Sequence, residues 1–216
     1  PAQHYSMGGI RTNVWGETGI QRLLAAGECA CVSIHGANRL GGNSLMETIV
    51  FGRRSGLRAR EIAKETEFNS PSISHLKDVE REIFELMEMH GSEQPSVIRN
   101  ELCQLMTNKV GVFRLASEMQ EALDQIRELQ LKFKKVSLYD KDTLYNMDLT
   151  AVLELGYLLE LAEIITRGAL ARTESRGSHF RDDFPERADQ NWLKHTLARK
   201  TEQGIDLDYE DVSVTR

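Results

Sequence analysis

The feature that most constrains this chain is a change of hydrophobic period between residues 66 and 70. Ahead of it, ten of the sixteen glycines fall within 66 residues, among short apolar runs such as Gly9-Ile10-Arg11-Thr12 and Leu23-Leu24-Ala25-Ala26. Glycine turns between short strands read as the edge of an α/β domain. Beyond it the apolar spacing becomes helical and stays so for about a hundred residues. The fold class that follows is α+β: an α/β edge, then an antiparallel helical bundle, then an irregular polar tail. The corresponding boundaries are residues 1–66, 67–172 and 173–216.

Four helices are predicted in the second part. Ser70-Pro71 opens the first, with Ile73, Leu76, Val79, Ile83, Leu86 and Met87 as one stripe and Gly91 at its end. Pro95 suits the first turn of the second, which carries Val97, Ile98, Leu102 and Leu105. The third spans about 113–133, with Leu115, Met119, Leu123, Ile126 and Leu129 on one side. The fourth, about 142–170, is more apolar, and short polar links between neighbours favour antiparallel packing. These stripes are core-forming faces without chemistry of their own.

Charge and composition exclude several functions. The formal net charge is −6, and basic residues are scattered or paired with acids, which argues against a nucleic-acid partner. No apolar run is long enough to span a bilayer. The three cysteines, Cys29, Cys31 and Cys103, read as small buried hydrophobes rather than disulfide or zinc ligands, and no metal site is expected. The opening at Pro1-Ala2-Gln3-His4 reads as a cut rather than a natural start.

The chemistry concentrates between Gly27 and Gly56. Glu28 follows a strand-like run, where a carboxylate is placed to accept bonds from ribose hydroxyls. His35-Gly36-Ala37-Asn38-Arg39-Leu40-Gly41-Gly42-Asn43-Ser44-Leu45 then leads into a helical run. Ser44 with Glu47 fits a capping box, so a helix is expected to start near Asn43 or Ser44, with free N–H groups that favour an anion. The same helix places Leu45, Ile49, Gly52 and Gly56 on one face, which suits close packing on a strand or cofactor. Arg39, set among glycines and apolar residues just before that helix, suits bidentate carboxylate recognition, and His4 offers a second donor.

Three segments carry a resemblance to a known family. His4-Tyr5-Ser6-Met7-Gly8-Gly9-Ile10, Gly27-Glu28-Cys29 and the run from His35 to Leu45 resemble consecutive motifs of the succinate dehydrogenase/fumarate reductase flavoproteins. The helical region, Arg172 to His179, and Pro185-Glu186-Arg187 leading to Asn191–Leu197 are similar to that family's C-terminal part. The resemblance implies FAD as cofactor and a dicarboxylate, succinate or fumarate, held by His4 and Arg39. It implies Glu28 on the FAD ribose, and Ser44 and Leu45 against the isoalloxazine through their backbone. The implied reaction moves a hydride between a succinate carbon and flavin N5 and passes electrons to an iron-sulfur subunit.

By the same resemblance, the glycine-rich dinucleotide box, the flavin-linking histidine and the proton-transferring arginine lie upstream of Pro1. No catalytic residue is therefore assigned on this chain, and the piece alone is expected to be inactive. Membrane association is expected only through partner subunits, on the cytoplasmic face of the inner membrane or the matrix side in a mitochondrion. Two other readings stay open: an L-aspartate oxidase-like flavoenzyme, and a non-catalytic helical interaction fragment. The Glu174–His179 cluster is expected to be a salt-bridge network.

Overall fold

The computed structural model describes residues 4–68, 70 and 72–214. They form two compact units, one of residues 1–70 with Arg176–Ser178, the other of 71–175 with 179–216.

In the first unit two short strands, β1 (Ile10–Arg11) and β2 (Ala30–Cys31), pair in parallel. Gly9 makes this approach possible: at φ 122° a Cβ would stand 2.5 Å from the Cys29 carbonyl oxygen, so any larger residue forces the strands apart. Helix α1 runs Asn43–Glu65 and buries Glu47, Phe51 and Ser55, an i, i+4, i+8 stripe along one side. The face expected to pack closely is the other one. Leu45 and Ile49 are exposed, and nothing lies within 4 Å of a Cβ built on Gly52 or Gly56 among the described residues.

The second unit is helical, with two small two-stranded sheets joined to it. Its helices are α2 (Ile73–Glu88), α3 (Pro95–Lys109), α4 (Ala116–Phe133), α5 (Met147–Ala171) and the single turn α6 (Asp189–Trp192). Ile98, Leu102 and Leu105 of α3, Ala122, Ile126 and Leu129 of α4, and Val152, Leu155 and Leu159 of α5 make one buried cluster. Removing any of the Val, Leu or Ile side chains among these from water contributes on the order of 1.5–3 kcal/mol.

Helix α2 differs from its expected role. It has no buried residue; Ile73, Leu76 and Val79 are exposed, and only Leu86 and Met87 reach the core. It starts after Ser72, whose hydroxyl accepts from Ser74 N, and ends at Glu88 rather than Gly91; Pro71 lies outside the described residues. Gly91 instead marks a backbone crossing, where a Cβ would fall 1.7 Å from the Lys135 carbonyl oxygen. Two of the cysteines also depart from expectation. Cys103 lies on the outer side of α3 beside buried Leu102, and Cys29 precedes β2 with its thiol toward the Ala26 carbonyl; both are exposed.

Strands β3 (Phe113–Arg114) and β4 (Phe180–Arg181) pair in parallel. The last part of the tail is more ordered than its composition suggested. β5 (Lys194–Thr201) and β6 (Gly204–Asp211) form an antiparallel hairpin closed by Glu202-Gln203, with Gly204 at φ 129°.

Candidate active site

The first motif and the Gly-Glu motif meet in the first unit because Gly9 lets β1 and β2 approach so closely. The Ser6 amide donates to Glu28 Oε1 at 3.0 Å, and His4, Tyr5, Ser6 and Glu28 line a small open cavity of about 190 Å³. Two predicted site residues, His4 and Glu28, are thus brought to one place, both exposed.

Arg39 comes to the same motif. Its amide lies 3.1 Å from Met7 Sδ, and its guanidinium carbon sits 4.6 Å from the centre of the Tyr5 ring. Guanidinium over an aromatic face is a favourable cation–π geometry. Nη1 donates to the Leu40 carbonyl at 3.0 Å, while Nε is buried and has no partner among the described residues. A buried donor without an acceptor costs about 1–3 kcal/mol in a finished structure, so it marks a place where a ligand acceptor fits.

Ser44 and Leu45 stand in the first turn of α1. The capping box predicted for Ser44 and Glu47 is absent. The N-cap is Gly42, in the left-handed region at φ 81°, with no side-chain cap and no acidic residue in the first turn. Glu47 is turned inward instead, which is why it cannot reach back to the helix start. Its Oε2 accepts from the Tyr5 hydroxyl at 2.6 Å and contacts His35 Nε2 at 2.6 Å. Sequence reasoning read Tyr5, His35 and Glu47 only as parts of motifs. Nothing in their spacing, 30 and 12 residues apart, announces that they meet. The Tyr5 phenol is pushed up to about 12, first by burial and then by the Glu47 carboxylate, so it remains a donor.

Comparisons with known proteins identify the family. Residues 99–216 match the family model for the fumarate reductase flavoprotein C-terminal region, and residues 1–45 match the FAD binding domain model. The chain belongs to the succinate dehydrogenase/fumarate reductase flavoprotein family. Over its whole length it is 43% identical to the fumarate reductase flavoprotein subunit of Proteus vulgaris and 37% identical to the succinate dehydrogenase flavoprotein subunit of Rickettsia conorii. It spans 37% and 38% of those relatives' lengths. A solved chain of Escherichia coli quinol fumarate reductase superposes with a TM-score of 0.93 at 42% identity, covering 98% of this chain and 37% of that one. FAD is the cofactor this family membership indicates. Among the described residues no helix is long and apolar enough to cross a membrane, and no group of side chains is arranged to hold a metal ion.

Proposed function

We propose that this chain supplies part of the dicarboxylate and flavin site of a subunit that interconverts succinate and fumarate and passes electrons to an iron-sulfur subunit. The observation that carries the reading is Arg39, a half-buried guanidinium steadied on Tyr5 with its Nε unpartnered among the described residues, immediately before an uncapped helix start. The names of the relatives, fumarate reductase and succinate dehydrogenase flavoprotein subunits, support the same substrate pair.

The residues present fit FAD. Gly42 leaves the start of α1 open, so the backbone N–H groups of Ser44 and Leu45 can face the electron-rich edge of the ring, where the helix dipole favours negative charge. Glu28 offers a carboxylate for a ribose hydroxyl. When bound, FAD supplies the acceptor or donor of the hydride. The rest falls to the chain. Arg39 forms paired hydrogen bonds to one substrate carboxylate, and His4 donates to the same bound dicarboxylate. Holding that carboxylate polarises the adjoining carbon–carbon bond and fixes it for hydride transfer. The proton transfer is assigned to an arginine outside this chain. Attachment to a membrane is assigned to partner subunits, with the flavoprotein peripheral.

The test is succinate oxidation with dichlorophenolindophenol in the full-length protein, comparing wild type with Arg39→Ala. A loss on the order of a thousandfold with flavin content unchanged is expected. Wild-type protein inactive on succinate, or a nearly unaffected variant, overturns the reading, and L-aspartate is then the substrate to try.

A further inference from the structure

We propose that Glu47 is a positioning residue for the dicarboxylate: its buried carboxylate fixes both the Tyr5 ring that supports Arg39 and the loop from which Arg39 projects. The inference rests on the reading of Arg39 as a carboxylate clamp.

Glu47 is 2% exposed, on the inner stripe of α1 whose other buried members are Phe51 and Ser55. An apolar side chain would fill that position without the desolvation cost of a carboxylate, so packing does not explain it. Its partners do. Oε2 receives the Tyr5 hydroxyl and, since a carboxylate only accepts, the Nε2 proton of His35, each at 2.6 Å. Tyr5 and His35 also meet edge to face, with ring centres 5.8 Å apart.

These two contacts hold the two segments that carry the proposed carboxylate binders. Tyr5 follows His4 in the chain, and its ring lies under the Arg39 guanidinium. His35 opens the run Gly36-Ala37-Asn38 that ends at Arg39. That run is pinned again at Ala37, whose carbonyl accepts from the Ser178 amide and hydroxyl, each at 2.9 Å. One carboxylate therefore couples the first motif to the arginine loop. An arginine carries several rotatable bonds, and a fixed aromatic platform reduces what binding must order.

The experiment titrates full-length, flavin-loaded protein with malonate, a short unreactive dicarboxylate, and reads binding from the flavin absorbance change. Glu47→Gln is expected to raise the malonate dissociation constant about tenfold with flavin content kept. In an Arg39→Ala background the same substitution is expected to add less than about twofold, because Glu47 acts through Arg39. Tyr5→Phe, which removes only the hydroxyl, is expected to weaken malonate roughly threefold or more, and it decides the matter if Glu47→Gln does not fold. Equal effects of Glu47→Gln in both backgrounds, or unchanged malonate binding in Tyr5→Phe, overturn the positioning role. Arg39→Ala binding malonate as wild type does overturns the clamp reading itself; Arg39→Ala weakening it while Glu47→Gln and Tyr5→Phe do nothing overturns only the role of Glu47.

Discussion

Arg181 and Arg39 both stand at helix ends, and the protein treats them in opposite ways. Arg181 is 1% exposed and fully engaged. Nη1 donates to the carbonyls of Ala169, Leu170 and Arg172 at the C-terminal end of α5, and Nε and Nη2 grip the two oxygens of Asp183 at 2.7 and 2.8 Å. A cation there answers the exposed carbonyls of a helix end. Close by in the same unit, Glu174 is fully buried, taking Arg172 Nη1 at 2.7 Å and the Ala188 amide at 2.9 Å. Arg39, before the start of α1, keeps Nε idle. Among the described residues the buried side-chain atoms without partners are Thr12 Oγ1, His35 Nδ1 and Arg39 Nε, and all three belong to the first unit. Saturated polar clusters build a fold; unsaturated ones are held ready for something else.

The largest expected effects separate the two arginines. Arg39→Ala, which abolishes most succinate oxidation in the proposed function, is expected to move unfolding free energy by less than about 1 kcal/mol, because little protein hydrogen bonding is lost. Arg181→Ala is expected to do the reverse. It strands three carbonyls and an aspartate, and should cost about 3–5 kcal/mol in denaturant unfolding. If Arg39→Ala proves the more destabilising of the pair, the contrast between a working and a structural arginine fails.

How far these roles could be read in the sequence follows from the same physics. Arg39 was legible because a cation between glycines has no local partner, and the helix after it announces itself through its period. Helices α3, α4 and α5 were legible from their stripes, since each stripe meets another stripe. The stripe of α2 was equally regular, yet it is exposed among the described residues, because periodicity states that a face is apolar and not what covers it. The β5–β6 hairpin was missed for a different reason. Ile205, Leu207 and Tyr209 alternate with acidic residues in a clear two-residue period, but the alternation is short and sits inside a tail of low apolar content. Glu47 was misread as part of a capping box because its true partners, Tyr5 and His35, are distant in the chain.

A middle-sized effect tests how tightly charge is tuned in the saturated cluster. His179 Nδ1 accepts from Arg114 Nη1 at 2.6 Å, and Nε2 lies 3.4 Å from the Arg172 carbonyl. Burial first, then the positive charges of Arg114, Arg172 and Arg181, push its pKa down to about 4. The unfolded chain therefore binds a proton between about pH 6.5 and 4 that the folded chain does not. Stability is full above pH 6.5 and declines as pH falls through that window. His179→Gln should remove about 1–3 kcal/mol of this decline when unfolding free energies at pH 7 and pH 4.5 are compared. An unchanged pH dependence would show that the imidazole is not held neutral by its surroundings.

The smallest effect asks the sharpest question of the comparison, because it uses one chemical change in both regions. Thr166 is fully buried on α5, and its hydroxyl donates to the Ala162 carbonyl at 2.7 Å; Thr12 Oγ1 is buried with no partner among the described residues. Valine matches threonine in shape and lacks the hydroxyl. Thr166→Val gives up a satisfied bond and gains apolar volume, so a cost near 1 kcal/mol is expected, read by urea unfolding. Thr12→Val removes a hydroxyl that was doing nothing for the fold, so its effect on unfolding should lie within about 0.5 kcal/mol of zero or be stabilising. A cost at Thr12 equal to that at Thr166 would mean that the hydroxyl is satisfied after all. If unfolding is unchanged but the full-length protein holds its flavin or malonate less tightly, then Thr12 belongs with Arg39 among the groups kept open for a ligand.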